Sequence, residues 1–175
     1  MKLSSLLPYE RCVFTTHLSQ QEVLKRIDDN IQVRPNFRFS FSPPRYSKPY
    51  SGYIRANFFE MTRNISYRNS FLPLITGTVS TESGQTQVTI IMKPVLFVTI
   101  FMCIWLGFAG LVSLIVTLGA LTELNRSVHT AFDPAMLIPY GMFAFGYLLF
   151  FFAFKFESGP SARFLEDLLE AKEFL

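Results

Sequence analysis

The chain has 175 residues, half of them hydrophobic, with 20 Phe and a formal net charge of +3. So apolar a composition excludes an ordinary small soluble domain and points to a membrane protein with a modest extramembrane part. Two cysteines, Cys12 and Cys103, with no C-x-x-C pair and no Cys/His cluster, exclude a disulfide framework and a zinc site, and neither metal nor cofactor is expected.

Residues 1–93 carry twelve Lys or Arg against six Asp or Glu, enough chain for one small domain with its own core. The opening MKLSSLLPYERC has too short an apolar part for a secretory signal, so this domain is expected to stay in the cytosol. Residues 11–16 suit a first strand. Ser19 and Glu22 then stand in capping-box spacing, with Leu18 and Val23 as the flanking staple. Val23, Leu24, Ile27 and Ile31 share one face, which predicts a short covering helix over 19–29.

Phe37, Phe39 and Phe41 alternate with polar residues as in a strand, and Pro43, Pro44 and Pro49 then impose an extended, basic loop. From Ser51 to Met92 the pattern is β throughout. Tyr53–Phe59 and Met61–Tyr67 alternate, Asn69–Ser70 reads as a turn, and 74–81 pairs with 85–92 through Glu82-Ser83-Gly84. The expected fold of residues 1–93 is α+β: an antiparallel meander of four or five strands covered by one helix.

Pro94–Thr122 is 29 residues without a charge. About 20 apolar helical residues cross a bilayer core of about 30 Å, so a first span is assigned to 94–121. Pro94 would sit in its first turn. After the polar loop 123–133, a second uncharged run of 21 residues, 134–154, is a second span, with Pro139 in its first turns as a possible kink and Lys155 as an interfacial anchor. These spans form a transmembrane hairpin over 94–155. The acidic tail, 156–175, is read as a short amphipathic helix from Ser161, folding back on the basic N-terminal domain or on a neighbouring subunit. Lys93, Lys155, Arg163 and Lys172 flank the spans, against Arg126 alone in the loop. The positive-inside rule therefore puts both termini in the cytoplasm.

Two sets of candidate site residues stand out. Arg34, Arg38, Arg45, Arg55, Arg63 and Arg68, with Lys48 nearby, have the charge to bind an anionic ligand such as a phosphorylated headgroup or nucleotide. Tyr46, Tyr50 and Tyr53 have the rings to stack on a base. Gly107, Ala109, Gly110, Ser113 and Thr117 on the first span, and Gly141 and Gly146 on the second, are small residues suited to close helix packing, within the chain or between copies. No ionisable residue lies inside either span, which argues against an ion or proton relay. His17 and His129 are isolated, and Asn64 and Asn125 match the glycosylation acceptor pattern by spacing alone.

The run Phe59–Pro73, with Gly77, Phe97, Phe101, Met102 and Trp105, resembles a family of small bacterial membrane proteins built from a cytosolic β part and two closing spans. The likeness is best over residues 50–115 and implies architecture and bacterial origin, with no activity attached; the location expected is the bacterial inner (plasma) membrane. By looser analogy, two spans plus a small β-domain are similar to the membrane effectors of cyclic-oligonucleotide anti-phage systems, although here the spans follow the β-domain.

The expected function is non-enzymatic: a membrane-anchored domain that binds a partner or an anionic ligand. A ligand-gated membrane-disrupting effector and a membrane-surface lipid-modifying enzyme are the alternatives. The partners expected are the lipid bilayer, further copies through the spans, and an anionic small molecule or a protein, but no nucleic-acid duplex.

Overall fold

The computed structural model describes residues 7–33, 46–67, 69–82, 84–125 and 133–174. The elements are β1 (Glu10–Thr16), α1 (Gln20–Asn30), β2 (Ile31–Val33), β3 (Tyr50–Arg55), β4 (Phe58–Arg63), β5 (Pro73–Glu82), β6 (Gln85–Pro94), α2 (Leu96–Asn125), a 3-10 turn (Pro134–Leu137), α3 (Ile138–Leu168) and β7 (Lys172–Phe174). The chain divides into two compact units, Met1–Val95 with Ala153–Leu175, and Leu96–Phe152.

Among the described residues the first unit is a seven-stranded sheet in the order β2-β3-β4-β5-β6-β1-β7. β2 runs parallel to β3 and every other pairing is antiparallel, so the sheet is mixed and larger than the expected meander. α1 carries the chain across one sheet face, from β1 to β2. It starts where the Ser19 hydroxyl accepts the Glu22 N–H at 3.2 Å. The capping box stays half made, because the Glu22 carboxylate turns to Arg26 Nε at 3.3 Å. Val23 and Ile27 of α1 are buried against the sheet.

That same face collects Cys12 and Phe14, Val88, Ile90 and Met92, Ile75 and Val79, Phe59 and Met61, and Tyr50, all buried. Strand alternation puts them there, since residues two apart share a face. Gly77 lies directly opposite Phe59. A Cβ at Gly77 would run into the Phe59 ring, so the glycine makes the room that the ring fills.

Three sequence expectations are corrected here. Tyr53–Phe59 is two strands: Ala56 and Asn57 form a turn, with Ala56 at φ 49 and the Asn57 carbonyl accepting from Val79 N–H at 2.8 Å. No glycine marks that turn, so alternation ran straight through it. Pro94 belongs to β6, opposite Pro73, and the first apolar helix begins two residues later, at Leu96. A proline at a strand end loses no ladder bond that matters.

The tail from Ser161 is not a separate helix. α3 runs from Ile138 through Pro160 to Leu168, so Pro160 is its interior proline. Pro139 falls in the first turn, where a missing N–H costs nothing. Glu170, at φ 49, ends the helical path, and β7 pairs with β1. An edge strand offers unpaired backbone groups, and β7 takes those of β1.

The tail does fold back on the N-terminal domain. Phe154, Leu165 and Leu169 are fully buried in its core. Thr16 Oγ1 donates to the Leu169 carbonyl at 2.7 Å, and Arg26 Nη1 reaches the Leu168 carbonyl at 3.0 Å and Glu170 at 2.7 Å. The sheet core is therefore completed by residues some 150 positions away from β1. Leu165→Ala should lower the stability of the sheet by about 2–5 kcal/mol, the usual loss for a buried leucine. Hydrogen exchange of β1 and β6 amides in the full chain in detergent checks this; unchanged protection would mean that α3 is not part of the core.

Candidate functional site

The most polar buried point of the first unit is Glu157. It lies 3 residues past Phe154, and its side chain is 0 % exposed. A carboxylate taken out of water costs several kcal/mol unless its oxygens are paired. Three donors supply the pairing. Arg63 Nη1, from the end of β4, is at 3.1 Å, Asn69 Nδ2 at 3.2 Å, and the Tyr67 hydroxyl donates to Oε1. Tyr67 and Asn69 stand on the β4–β5 connection. Asn69 Oδ1 accepts the Phe71 N–H at 2.9 Å, which shapes that loop.

The Tyr67 phenol is raised above its ordinary value, first by the hydrogen bond to Glu157, then by burial and by the charge of Glu157, with Arg63 opposing. The neutral phenol is the form that donates. Its contribution is thus complete below the ordinary tyrosine range and is lost as pH climbs through the raised value. Tyr50 is also raised, chiefly by burial, and its ring packs on Phe164 at 4.9 Å between centroids.

A second network fixes the neighbouring segment. Asn64 Nδ2 donates to the Lys48 carbonyl at 2.8 Å, and Ser51 Oγ donates to Asn64 Oδ1 at 2.7 Å. Gln32 Oε1 accepts from Ser47 N–H and Oγ at 3.0 and 2.9 Å. Lys48 Nζ donates to the carbonyls of Asp28 and Ile31, closing the end of α1. Beside these groups is an open cavity of about 450 Å³, lined by Tyr46, Ser51, Glu60, Thr62, Arg63, Asn64, Ile65, Leu72, Leu74 and Val95.

The predicted arginine set is spread accordingly. Arg34, Arg38, Arg45 and Arg68 lie outside the described residues. Arg55 sits over the Tyr53 ring at 5.2 Å, and Arg63 is held by Glu157. These two are at opposite ends of the β3–β4 hairpin, because Arg63 pairs with Tyr50 and Arg55 with Phe58. Five residues of strand, about 17 Å, separate them, and alternation turns them to opposite faces. The structure brings Arg55 and Arg63 into no common patch. Tyr50 is buried, while Tyr46 and Tyr53 are exposed.

In the second unit, the predicted small residues divide. Ala109 is buried. The Phe143 ring stands over Gly110 and Trp105 over Gly146. The Thr117 and Tyr140 hydroxyls meet at 2.7 Å, the Tyr140 hydroxyl also donates to the Ser113 carbonyl at 3.1 Å, and Ser113 Oγ bonds the Ala109 carbonyl at 2.8 Å. These small residues receive aromatic rings from the partner helix. Gly107 and Gly141 have open space where a side chain would be.

The residues missed by sequence reasoning are Glu157, Tyr67 and Asn69. One signal was available. Lys155 and Glu157 are the only charged residues between Asp133 and Arg163. Lys155, read as an interfacial anchor, is paired with Glu10 of β1 at 2.5 Å. Among the described residues no group of three or more His, Cys, Asp or Glu is placed to hold a metal ion. Comparison with family models, curated proteins and solved structures finds no match.

The Arg63–Glu157 pair predicts an asymmetry. Arg63→Ala leaves a buried carboxylate short of its cation and should cost about 3 kcal/mol, whereas Glu157→Gln keeps the shape and should cost about 1 kcal/mol. Urea unfolding of the full chain in detergent measures both. Equal losses would mean that water reaches Glu157.

Proposed function

We propose that this chain is a two-span protein of the bacterial inner membrane, whose sheet unit works in the cytosol by binding and not by catalysis. One observation carries the membrane reading. The two apolar helices, Leu96–Thr122 and Pro134–Leu168, are only 11 % and 17 % buried over their most apolar stretches. The core helix of a soluble protein hides its apolar residues; these present Phe97, Phe101, Ile104, Phe108, Phe145 and Phe152 outward. Each helix satisfies its own backbone, which a hydrocarbon environment demands. At 1.5 Å per residue, the 27 residues of Leu96–Thr122 span about 40 Å, enough for a bilayer core with tilt.

The resemblance to small bacterial membrane proteins and the excess of Lys and Arg flanking the helices support the inner membrane with both termini inside. Binding is favoured over catalysis by how the polar side chains are used. Arg63, Glu157, Tyr67 and Asn69 hold one another, and Asn64, Ser51, Gln32 and Lys48 hold the backbone. Beside them, the cavity has apolar and polar walls of the kind that receive a small molecule.

Alkaline phosphatase, active only outside the cytoplasm, tests this reading. Fused after Leu175 it should be silent, and inserted within residues 126–132 it should be active, with the protein retained in carbonate-washed membranes. A chain released by carbonate, or an active C-terminal fusion, would overturn the reading.

A further inference from the structure

The open cavity lies against the sheet face that α1 does not cover. Tyr50 and Arg63 are directly opposite each other across β3 and β4, and Tyr50 is buried in the core. Ser51 pairs with Thr62 one residue along, so alternation turns Ser51, Thr62 and Glu60 to the other face. Leu74 joins them, one residue before the core residue Ile75. Arg63 is among the lining residues, but its guanidinium is held by Glu157 on the core face.

With that cation turned away, the described lining residues give the cavity a negative charge. Glu60 is half-buried there. It accepts from the Tyr53 hydroxyl at 3.4 Å and has interactions of its own, and an ionised carboxylate has about four acceptor positions. The Ser51 and Thr62 hydroxyls share its face, and Tyr46 adds an exposed ring. Lys93, the partner of Leu74 on β6, is on that face but outside the lining. An oxyanion here would meet like charge. A cation meets a carboxylate and an aromatic ring, both of which attract it. The sign is opposite to the one expected from the arginine content of the domain.

The remaining wall is aliphatic. Ile65, Leu72 and Leu74 are partly exposed, and Val95, the residue before α2, is exposed. An apolar body would cover them, and about 450 Å³ is within the range that takes a small ligand.

We propose that the cavity binds a monocationic amphiphile, with its ammonium head on Glu60 and its apolar body along Ile65, Leu72, Leu74 and Val95. This rests on the binding role proposed above and gives it a ligand class. The chemistry is common to an aminolipid headgroup and to a soluble alkylamine.

The probe is hexylammonium, titrated by calorimetry against the full chain in an uncharged maltoside micelle, with protein-free micelles as the blank. Hexanoate is the comparison, equal in length and opposite in charge. Saturable binding of hexylammonium is expected, and none of hexanoate. Glu60→Gln keeps the shape of the side chain and should weaken hexylammonium about tenfold, the range of one charge-assisted hydrogen bond. From butylammonium to hexylammonium, binding should tighten by up to about fourfold per methylene, the effect of burying each one. Should Glu60→Gln fail to fold, the hexanoate comparison and the length series carry the test, with slower amide exchange at Ile65 and Leu72 locating the probe. Dihexanoyl phosphatidylethanolamine that displaces the probe identifies a lipid as the occupant; a probe that resists displacement identifies a soluble amine. Hexanoate binding as tightly, undiminished binding by folded Glu60→Gln, or no saturable binding by the folded wild type overturns the site while leaving the membrane reading intact. Release of the protein by carbonate overturns that reading and says nothing against the cavity.

Discussion

Apolar side chains facing outward along two helices are the constraint on which everything else depends. On α2 alone, Leu96, Phe97, Ile100, Phe101, Ile104, Trp105, Phe108, Leu111, Leu114, Ile115, Leu118 and Leu121 are all exposed. Each such side chain is worth about 1.5–3 kcal/mol when removed from water, so the set amounts to tens of kcal/mol. That exceeds the roughly 5–15 kcal/mol by which a whole domain is stable. Packing between α2 and α3 covers Met102, Ala109 and Phe150, too few to change the balance. The proposed bilayer location follows from that inequality.

The first unit solves a different problem. A sheet with one apolar face needs a cover, and α1, with 11 residues, is too short to cover seven strands. The last 16 residues of α3 complete the cover, and the strand after it extends the sheet at the β1 edge. From Ala153 onward one face of α3 is buried, with Phe154, Glu157, Ser158, Ser161 and Leu165, while Phe156, Arg163 and Asp167 on its other face are exposed. Glu157 lies on that buried face. Its carboxylate is tolerable only because Arg63, Tyr67 and Asn69 converge on it, so the β4–β5 loop and the end of α3 specify each other.

Much of the fold was legible in the sequence because the signals are local. The Ser19 cap, the 82–85 hairpin and the uncharged runs each follow from residues a few positions apart. What escaped was non-local or unmarked. The Ala56–Asn57 turn carries no glycine. The strand at Lys172–Phe174 exists only because β1 offers it an edge, and in isolation its stretch has a helical pattern. β2 adds a parallel pairing with β3, across a segment outside the described residues. The arginine set was read as a patch from sequence proximity, yet register puts Arg55 and Arg63 at opposite ends of a hairpin. The Glu157 cluster draws on residues 88 to 94 positions apart, and no spacing rule reaches that far.

The native cysteines provide the most direct test of lipid around α2. Cys103 is exposed on α2, eight residues into the helix and thus about 10 Å along it, and Cys12 is buried in the sheet. In sealed lipid vesicles, a charged maleimide should leave both thiols unmodified, and both should react once the protein is unfolded in denaturant. Rapid modification of Cys103 in intact vesicles, at the rate of a water-exposed thiol, would contradict a helix surrounded by hydrocarbon.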